Sequence, residues 1–103
     1  MIAIRSMLLT EHGFAHAFSL RTGGVSEGPF ASLNLARTVG DDPAAVARNT
    51  ERFAADLGSR AIYEVSQVHG REVVELGESD EVMAVRDREA DALVARVAGR
   101  AVA

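Results

Sequence analysis

A histidine followed by a glycine, in the segment QVHG at residues 67–70, is the side chain best placed for chemistry in this sequence. Residues 61–68 and 73–76 are rich in apolar and β-branched types, which predicts a hairpin or a kinked strand around Gly70. At the end of a strand, the imidazole of His69 can bind a metal ion or transfer a proton. A histidine that is satisfied inside a core is the alternative, and the residues themselves leave both interpretations open.

A glycine-rich loop, RTGGVS at residues 21–26, is the second candidate. It offers backbone N–H groups at Gly23 and Gly24, two hydroxyls and the guanidinium of Arg21, which together can hold an anion or a ribose phosphate. The loop lacks the Gly-Lys-Ser/Thr ending of a Walker motif, and the sequence contains no G-x-G-x-x-G motif. A tight connection without a ligand is the more common role of such a loop.

Two further histidines and four aspartates are weaker candidates, namely His12, His16, Asp41, Asp42, Asp87 and Asp91. His16 lies between phenylalanines, which favours a structural histidine of a strand or core. Asp91 stands between alanines just before an apolar run, where a turn or capping role is typical. The sequence shows no Ser-His-Asp order, paired-carboxylate spacing or H-x-x-x-H helix.

The best-defined scaffold element is a helix over residues 43–57. Asp42 can cap it, with Asp41 sharing that role, Pro43 suits its first position and Gly58 ends it. Its predicted apolar stripe consists of Val46, Ala47, Phe53, Ala54 and Leu57.

Alternating apolar residues over 14–20 predict a strand, and residues 92–97 favour another. Together with the extended segments around His69, these elements predict an α/β or α+β fold with at least three strands and one helix. A length of 103 residues fits a single domain.

Composition excludes several classes of protein. The net charge of −4, from 15 acidic and 11 basic residues, argues against nucleic-acid binding. Without cysteine the sequence has neither a disulfide nor a thiolate metal ligand. The N-terminal residues 1–13 are too short and too interrupted by charge for a signal peptide or a membrane span, so we expect a cytoplasmic protein without membrane contact.

Four blocks in order span most of the chain: HGFAHAFSLRTGGVSEGPFASLNLA, GDDPAAVARNTERFAADLG, SQVHGREVVEL and EADALVA. From about His12 to Val94 they resemble the N-terminal part of the YfiH family. That family is also called the multicopper polyphenol oxidase, laccase-domain or PgeF peptidoglycan editing factor family. Four blocks in register are a far more specific signal than any one of them.

The resemblance implies a layered α-β-β-α sandwich and a purine nucleoside phosphorylase, with adenosine deaminase and methylthioadenosine phosphorylase activities. It implies zinc, held by two histidines and one cysteine, of which His69 is the first histidine and hence the catalytic and metal residue. The substrate-side residues that it implies are Arg21, Gly23, Gly24 and Asn34. The expected partners are a nucleoside and phosphate.

The sequence departs from the family pattern after the Ala-Asp-Ala-Leu-Val block. An Ala-Asp-Cys motif and a later His-Ala-Gly-Trp-Arg-Gly motif, which carry the other two metal ligands in the family, have no counterpart here. The resemblance therefore implies a truncated domain, residues 1–103 being its N-terminal part, and we expect the isolated chain to be inactive.

Two other functions stay open. A non-catalytic module could bind a partner or associate with itself through a face left uncovered by the truncation. Copper-dependent phenol oxidation or peptidoglycan editing would follow the family's other names, but the sequence offers no pair of histidines with a cysteine for a blue-copper site.

Overall fold

The computed structural model describes residues 2–103. The chain divides into two compact units, and the boundary in the sequence lies between Arg60 and Ala61. The first unit contains β1 (Ala3–Ile4), α1 (Met7–Glu11), β2 (Phe18–Ser19), a short 3-10 helix (Gly28–Phe30) and α2 (Pro43–Asp56). The second contains β3 (Ile62–Tyr63), β4 (Val73–Leu76), α3 (Val82–Arg86), β5 (Ala92–Ala95) and β6 (Ala101–Val102). The predicted mixed α/β class is confirmed.

Helix α2 begins and ends where local signals predict. The Ala44 N–H donates to Asp42 Oδ1 at 3.0 Å, Pro43 occupies the first helical position, and Gly58 follows the helix with a φ of +80°. The Asp42 side chain satisfies a backbone N–H at the helix start. Gly58 adopts the left-handed conformation that commonly ends a helix. Within residues 2–103, no helix is long and apolar enough to cross a membrane.

The buried face of α2 differs from the predicted stripe. Its buried residues are Ala45, Val46, Asn49, Phe53 and Ala54. Ala47 is exposed, so its predicted burial is wrong, and Leu57 is half-buried just beyond the helix. At 3.6 residues per turn, position 49 lies on the face shared by Val46 and Phe53, whereas position 47 turns away from it. A polar residue, Asn49, therefore occupies the centre of the buried face.

The strand predicted over residues 14–20 is confined to Phe18–Ser19, which pairs antiparallel with β1. His16 explains the shortening, because the Ser6 N–H donates to its Nε2 at 2.7 Å and its Nδ1 lies 2.8 Å from Phe14 O. Since Nε2 accepts, Nδ1 carries the proton and donates it. The imidazole thus uses backbone groups that a longer strand ladder would need. These contacts fit a structural role for His16, although the residue is half-buried and lies just before β2, so its predicted place in a strand or core is wrong.

Two parallel strand pairs form the second unit. β3 pairs with β6, and β4 pairs with β5 in the register Val73↔Ala92 to Leu76↔Ala95. Of the hairpin and the kinked strand predicted around Gly70, the hairpin is wrong, because the strands on its two sides pair with later segments. The kinked strand is wrong as well, because residues 64–72 separate β3 from β4. The predicted strand at residues 92–97 is confirmed over Ala92–Ala95. Side chains of Tyr63, Leu76 and Val85 form the core, packed by Val65, Val82, Leu93 and Ala95.

Candidate functional site

The glycine loop of residues 21–26 folds tightly against residues 32–33 of the first unit. The Ser26 N–H donates to Ser32 O at 2.9 Å, and the Leu33 N–H donates to Arg21 O at 2.8 Å. A Cβ added at Gly24 would collide with Ser32 O and would lie 2.5 Å from Leu33 Cα. Glycine is required at position 24 because another backbone segment passes where a side chain would be.

Gly23 serves the loop in a different way. Its φ of +94° lies in the left-handed region that favours glycine. The Arg52 guanidinium, from α2, donates to Gly23 O at 3.0 Å. Gly23 therefore supplies a backbone conformation and an acceptor for the helix, while Gly24 supplies space.

Asn49 fastens the loop to α2 from inside the first unit. Its side chain is 0% exposed. The Val25 N–H donates to Asn49 Oδ1 at 2.8 Å, and Asn49 Nδ2 donates at 2.9 Å to both Ser26 Oγ and Asn34 O. A buried amide with these bonds satisfies the polar groups of two loop segments at once. Sequence reasoning missed Asn49, although an asparagine on an apolar helical face was a usable signal.

The carboxylate of Asp41 completes this network. Its Oδ2 accepts from Ser26 Oγ at 2.6 Å and from Asn34 Nδ2 at 3.0 Å, and its Oδ1 accepts from the Asp42 N–H at 2.8 Å. The Ser26 hydroxyl, followed by the Asn34 amide, lowers the pKa of Asp41 below its ordinary value of 3.8. Asp41 was expected to share the helix cap, but its main bonds hold the loop.

Replacing Asp41 with asparagine should change how stability depends on pH. Because the pKa of Asp41 is lower in the folded state than its ordinary value of 3.8, the carboxylate stabilises the folded protein at pH values above 3.8. This contribution is lost as the pH falls through the lower pKa of the folded state. Urea unfolding at a series of acidic pH values should show a steeper loss of unfolding free energy for the wild type than for Asp41→Asn. An equal dependence of unfolding free energy on pH in the two proteins would contradict this role of Asp41 in the network.

A cavity of about 220 Å³ opens beside the loop. It is lined by Arg21, Pro29, Phe30, Ala31, Leu33 and Asn34. Arg21 is held on the wall because its Nε donates to Ala31 O at 2.6 Å. Of the four substrate-side candidates, Arg21 and Asn34 share this cavity, whereas Gly23 and Gly24 support the loop behind it. A guanidinium, an amide and an aromatic ring together suit a ligand with an anionic end and an apolar body.

His69 belongs to the second unit and is exposed, so it is not a core histidine. Its φ is +59°, which makes it the left-handed residue of the turn. The sequence predicted a hairpin or a kink around Gly70, and the structure places the left-handed residue one position earlier, at His69. Gly70 matters for another reason, because a Cβ there would lie only 3.1 Å from Asp91 Oδ2.

The carboxylate of Asp91 binds the backbone on both sides of His69. The Gly70 N–H donates to Asp91 Oδ2 at 2.8 Å, and the Val68 N–H donates to Asp91 Oδ1 at 3.3 Å. The turn role that the sequence favoured for Asp91 is confirmed. The turn is not its own, however: Gly70 and Val68 precede Asp91 in the chain by 21 and 23 positions.

Residues 2–103 do not form a metal site by themselves. Across residues 2–103, no three His, Cys, Asp or Glu side chains gather closely enough to hold an ion. Both ring nitrogens of His16 make hydrogen bonds with backbone groups. His12 follows the last residue of α1, and its Nδ1 lies 2.9 Å from Leu8 O. The imidazole of His69 alone falls short of the three protein ligands that a catalytic zinc uses.

Comparison with known families gives one match that covers most of the chain. A family model described as multi-copper polyphenol oxidoreductase laccase matches residues 15–103. A purine nucleoside phosphorylase of Streptomyces griseus is 55% identical over 64 residues, which are 59% of this chain and 26% of that protein. A purine nucleoside phosphorylase of Deinococcus radiodurans is 52% identical over 61 residues, 57% of this chain and 24% of that protein.

Solved structures show the same fold. YlmD from Geobacillus stearothermophilus superposes with a TM-score of 0.66 at 32% identity, covering 81% of this chain and 33% of that one. The Neisseria meningitidis protein NMB0706, of the DUF152 family, gives a TM-score of 0.67 at 30% identity, covering 84% and 34%. The chain thus spans about a quarter of the length of these curated relatives and about a third of the solved chains.

Proposed function

Because this chain belongs to the multi-copper polyphenol oxidoreductase laccase family, we propose that it carries part of the active site of a purine nucleoside phosphorylase. The observation that carries the proposal is the cavity in which Arg21 and Asn34 meet an aromatic wall. The names of the relatives in Streptomyces griseus and Deinococcus radiodurans support the same activity. The nucleosides proposed are adenosine, inosine and methylthioadenosine, and adenosine deamination is a further activity proposed for the whole domain.

Phosphorolysis needs a bound phosphate and a place for the nucleoside. Phosphate oxygen attacks ribose C1′, the bond from C1′ to the purine nitrogen breaks with its electron pair leaving on the purine, and the purine gains a proton. In our proposal the Arg21 guanidinium binds the phosphate through paired N–H donors. The Phe30 ring and Pro29 give the purine or the ribose an apolar surface. Asn34 Nδ2 donates to Asp41 and Ala36, so the Asn34 Oδ1, which accepts from the Ala36 N–H and has a second lone pair, is the atom that would accept from the nucleoside.

His69 is proposed as the catalytic imidazole of the second unit. Exposure leaves its ring accessible to a substrate or to another ligand. Zinc is the metal that the family resemblance implies, and His69 would be its one ligand from these residues. Since the chain lacks cysteine and gathers no ligand set within residues 2–103, we expect it to bind Zn²⁺ only as weakly as a single imidazole does.

Copper-dependent phenol oxidation is the second candidate, and the family description alone favours it. A blue-copper site needs two histidines and a cysteine together. The sequence has no cysteine, and His12 and His16 make local backbone contacts. The nucleoside reaction is the better-supported proposal because the relatives in Streptomyces griseus and Deinococcus radiodurans are named purine nucleoside phosphorylases.

The test joins residues 1–103 to the complementary C-terminal portion of the Streptomyces griseus relative. We expect this fusion to release free purine from inosine or adenosine in the presence of phosphate, and the 103-residue chain alone to release none. In the fusion, His69→Ala should lower kcat by about 10²-fold or more, the range found for catalytic acid–base groups. Arg21→Ala should mainly raise the KM for phosphate, because it removes a phosphate contact. Purine release is followed by chromatography.

Arg48→Ala is the matched control, since Arg48 lies exposed on α2 away from the cavity lining. It should leave both kcat and KM unchanged. Turnover that is indifferent to both Arg21→Ala and His69→Ala would contradict the proposal, and so would oxidation of a phenol by the fusion without phosphorolysis.

A further inference from the structure

We propose that Asp91 is the positioning residue of His69, fixing the turn from which the imidazole reaches its ligand. The catalytic meaning of this inference rests on the function proposed for His69, whereas the hold on the turn rests on geometry alone. The two oxygens of one carboxylate take the N–H groups that flank His69, at 2.8 Å from Gly70 N and 3.3 Å from Val68 N. Hydrogen bonds to a charged acceptor are stronger than neutral ones.

The carboxylate of Asp91 is positioned by the sheet of β4 and β5. Asp91 immediately precedes β5, and its own N–H donates to Glu72 O at 3.0 Å. The following N–H, from Ala92, donates to the same oxygen at 3.3 Å. From there β5 runs in register with β4 for four residue pairs. Asp91 is thus anchored to the strand that follows the His69 turn, which is the kind of rigid support that a functional side chain needs.

The conformation of His69 points to a task beyond turning the chain. A left-handed φ of +59° is unfavourable for a residue with a Cβ. Glycine adopts this conformation at no steric cost, yet position 69 carries a histidine and the glycine is the next residue. Strained residues that their surroundings hold in place concentrate at functional sites. Asp91 supplies that hold.

Gly70 fits the same arrangement. A Cβ at position 70 would lie 3.1 Å from Asp91 Oδ2, closer than ordinary contact allows. The absent side chain lets the carboxylate reach both N–H groups. Gly70 and Asp91 therefore act together: the glycine leaves space for the Asp91 carboxylate, and the carboxylate binds the backbone on both sides of His69.

Amide hydrogen exchange on the whole chain tests the hold directly. In Asp91→Ala, exchange at Val68 and Gly70 should accelerate by about tenfold to hundredfold, the effect expected for losing a hydrogen bond to a charged group. Asp80→Ala is the matched control, because Asp80 accepts from the Gly77 N–H at 2.7 Å in another turn of the same unit. It should leave Val68 and Gly70 unchanged. Unaltered exchange in Asp91→Ala would overturn the proposal.

Rescue of the turn separates positioning from general stability. Adding His69→Gly to Asp91→Ala should restore much of the thermal stability lost in Asp91→Ala, because glycine adopts the left-handed conformation without support. If Asp91 stabilised the unit by other means, the added glycine would restore nothing, and that result would also overturn the inference.

Kinetics of the fusion described above test the catalytic meaning. Asp91→Ala should lower kcat by about tenfold or more with the KM for phosphate unchanged. Combined with His69→Ala it should cause no further loss, because residues that act as a unit are not additive. Fully additive losses would overturn positioning. If the wild-type fusion proves inactive, the proposed function fails while the exchange experiment still decides whether Asp91 holds the turn.

Discussion

Replacing Gly24 with alanine is expected to destabilise the first unit by about 3 kcal/mol or more, at the upper end for overpacking a close-fitting site. The added methyl would collide with Ser32 O and lie 2.5 Å from Leu33 Cα. Hydrogen bonds at 2.9 Å and 2.8 Å tie the loop to Ser32 and Leu33 on either side of the contact, so neither segment can move away without losing them. Denaturant unfolding followed by circular dichroism measures the loss.

Gly77→Ala is the matched control for this substitution. A Cβ at Gly77 would meet Asp80 Oδ2 at 3.6 Å, which is ordinary van der Waals contact. We expect that variant to stay within about 1 kcal/mol of the wild type. A Gly24→Ala protein as stable as Gly77→Ala would show that the loop does not need the close approach.

Replacing Asn49 with leucine should cost a similar amount, about 3 kcal/mol or more, for a different reason. Leucine has the same branched shape and the same number of side-chain heavy atoms, so it leaves no large cavity. It would, however, leave the Val25 N–H, Ser26 Oγ and Asn34 O without the bonds that Asn49 now makes. Each buried polar group left unsatisfied costs about 1–3 kcal/mol. For a small domain whose total stability is about 5–15 kcal/mol, this is a large share.

Glu51→Leu is the control, because it makes the same kind of change on the exposed side of α2. Its unfolding free energy should lie within about 0.5 kcal/mol of the wild type. Equal stability of Asn49→Leu and Glu51→Leu would contradict the fastening role of the amide. In the fusion, Asn49→Leu should also raise the KM for the nucleoside, because Asn34 of the cavity wall loses one of its anchors.

The sequence predicted α2 closely because its signals are local. Asp42, Pro43 and Gly58 act within a turn or two of the positions they define, and the structure ends the helix at Asp56, one residue before the prediction. The glycine loop and the exposed imidazole of His69 were also located from sequence, although what each glycine does became clear only from the backbone around it.

The features that sequence reasoning missed depend on residues far apart in the chain. β3 and β6 are two-residue strands, too short for any periodic pattern, and they pair across nearly forty positions, from Ile62 to Ala101. The bonds of Asn49 to Val25 and Ser26 span 24 and 23 residues. Local periodicity records which face of an element is apolar and carries no information on the partner that a polar side chain meets.

Each of the three sheets in residues 2–103 has only two strands, so every strand is paired along a single edge. Isolated strand pairs hold little stability of their own. The buried apolar residues of each unit and hydrogen bonds made by single side chains must then supply much of the stability, and Asn49 and Asp91 are two of those side chains. Losing one of these side chains therefore frees a whole loop segment: Asn49 holds Val25, Ser26 and Asn34, and Asp91 holds the backbone on both sides of His69.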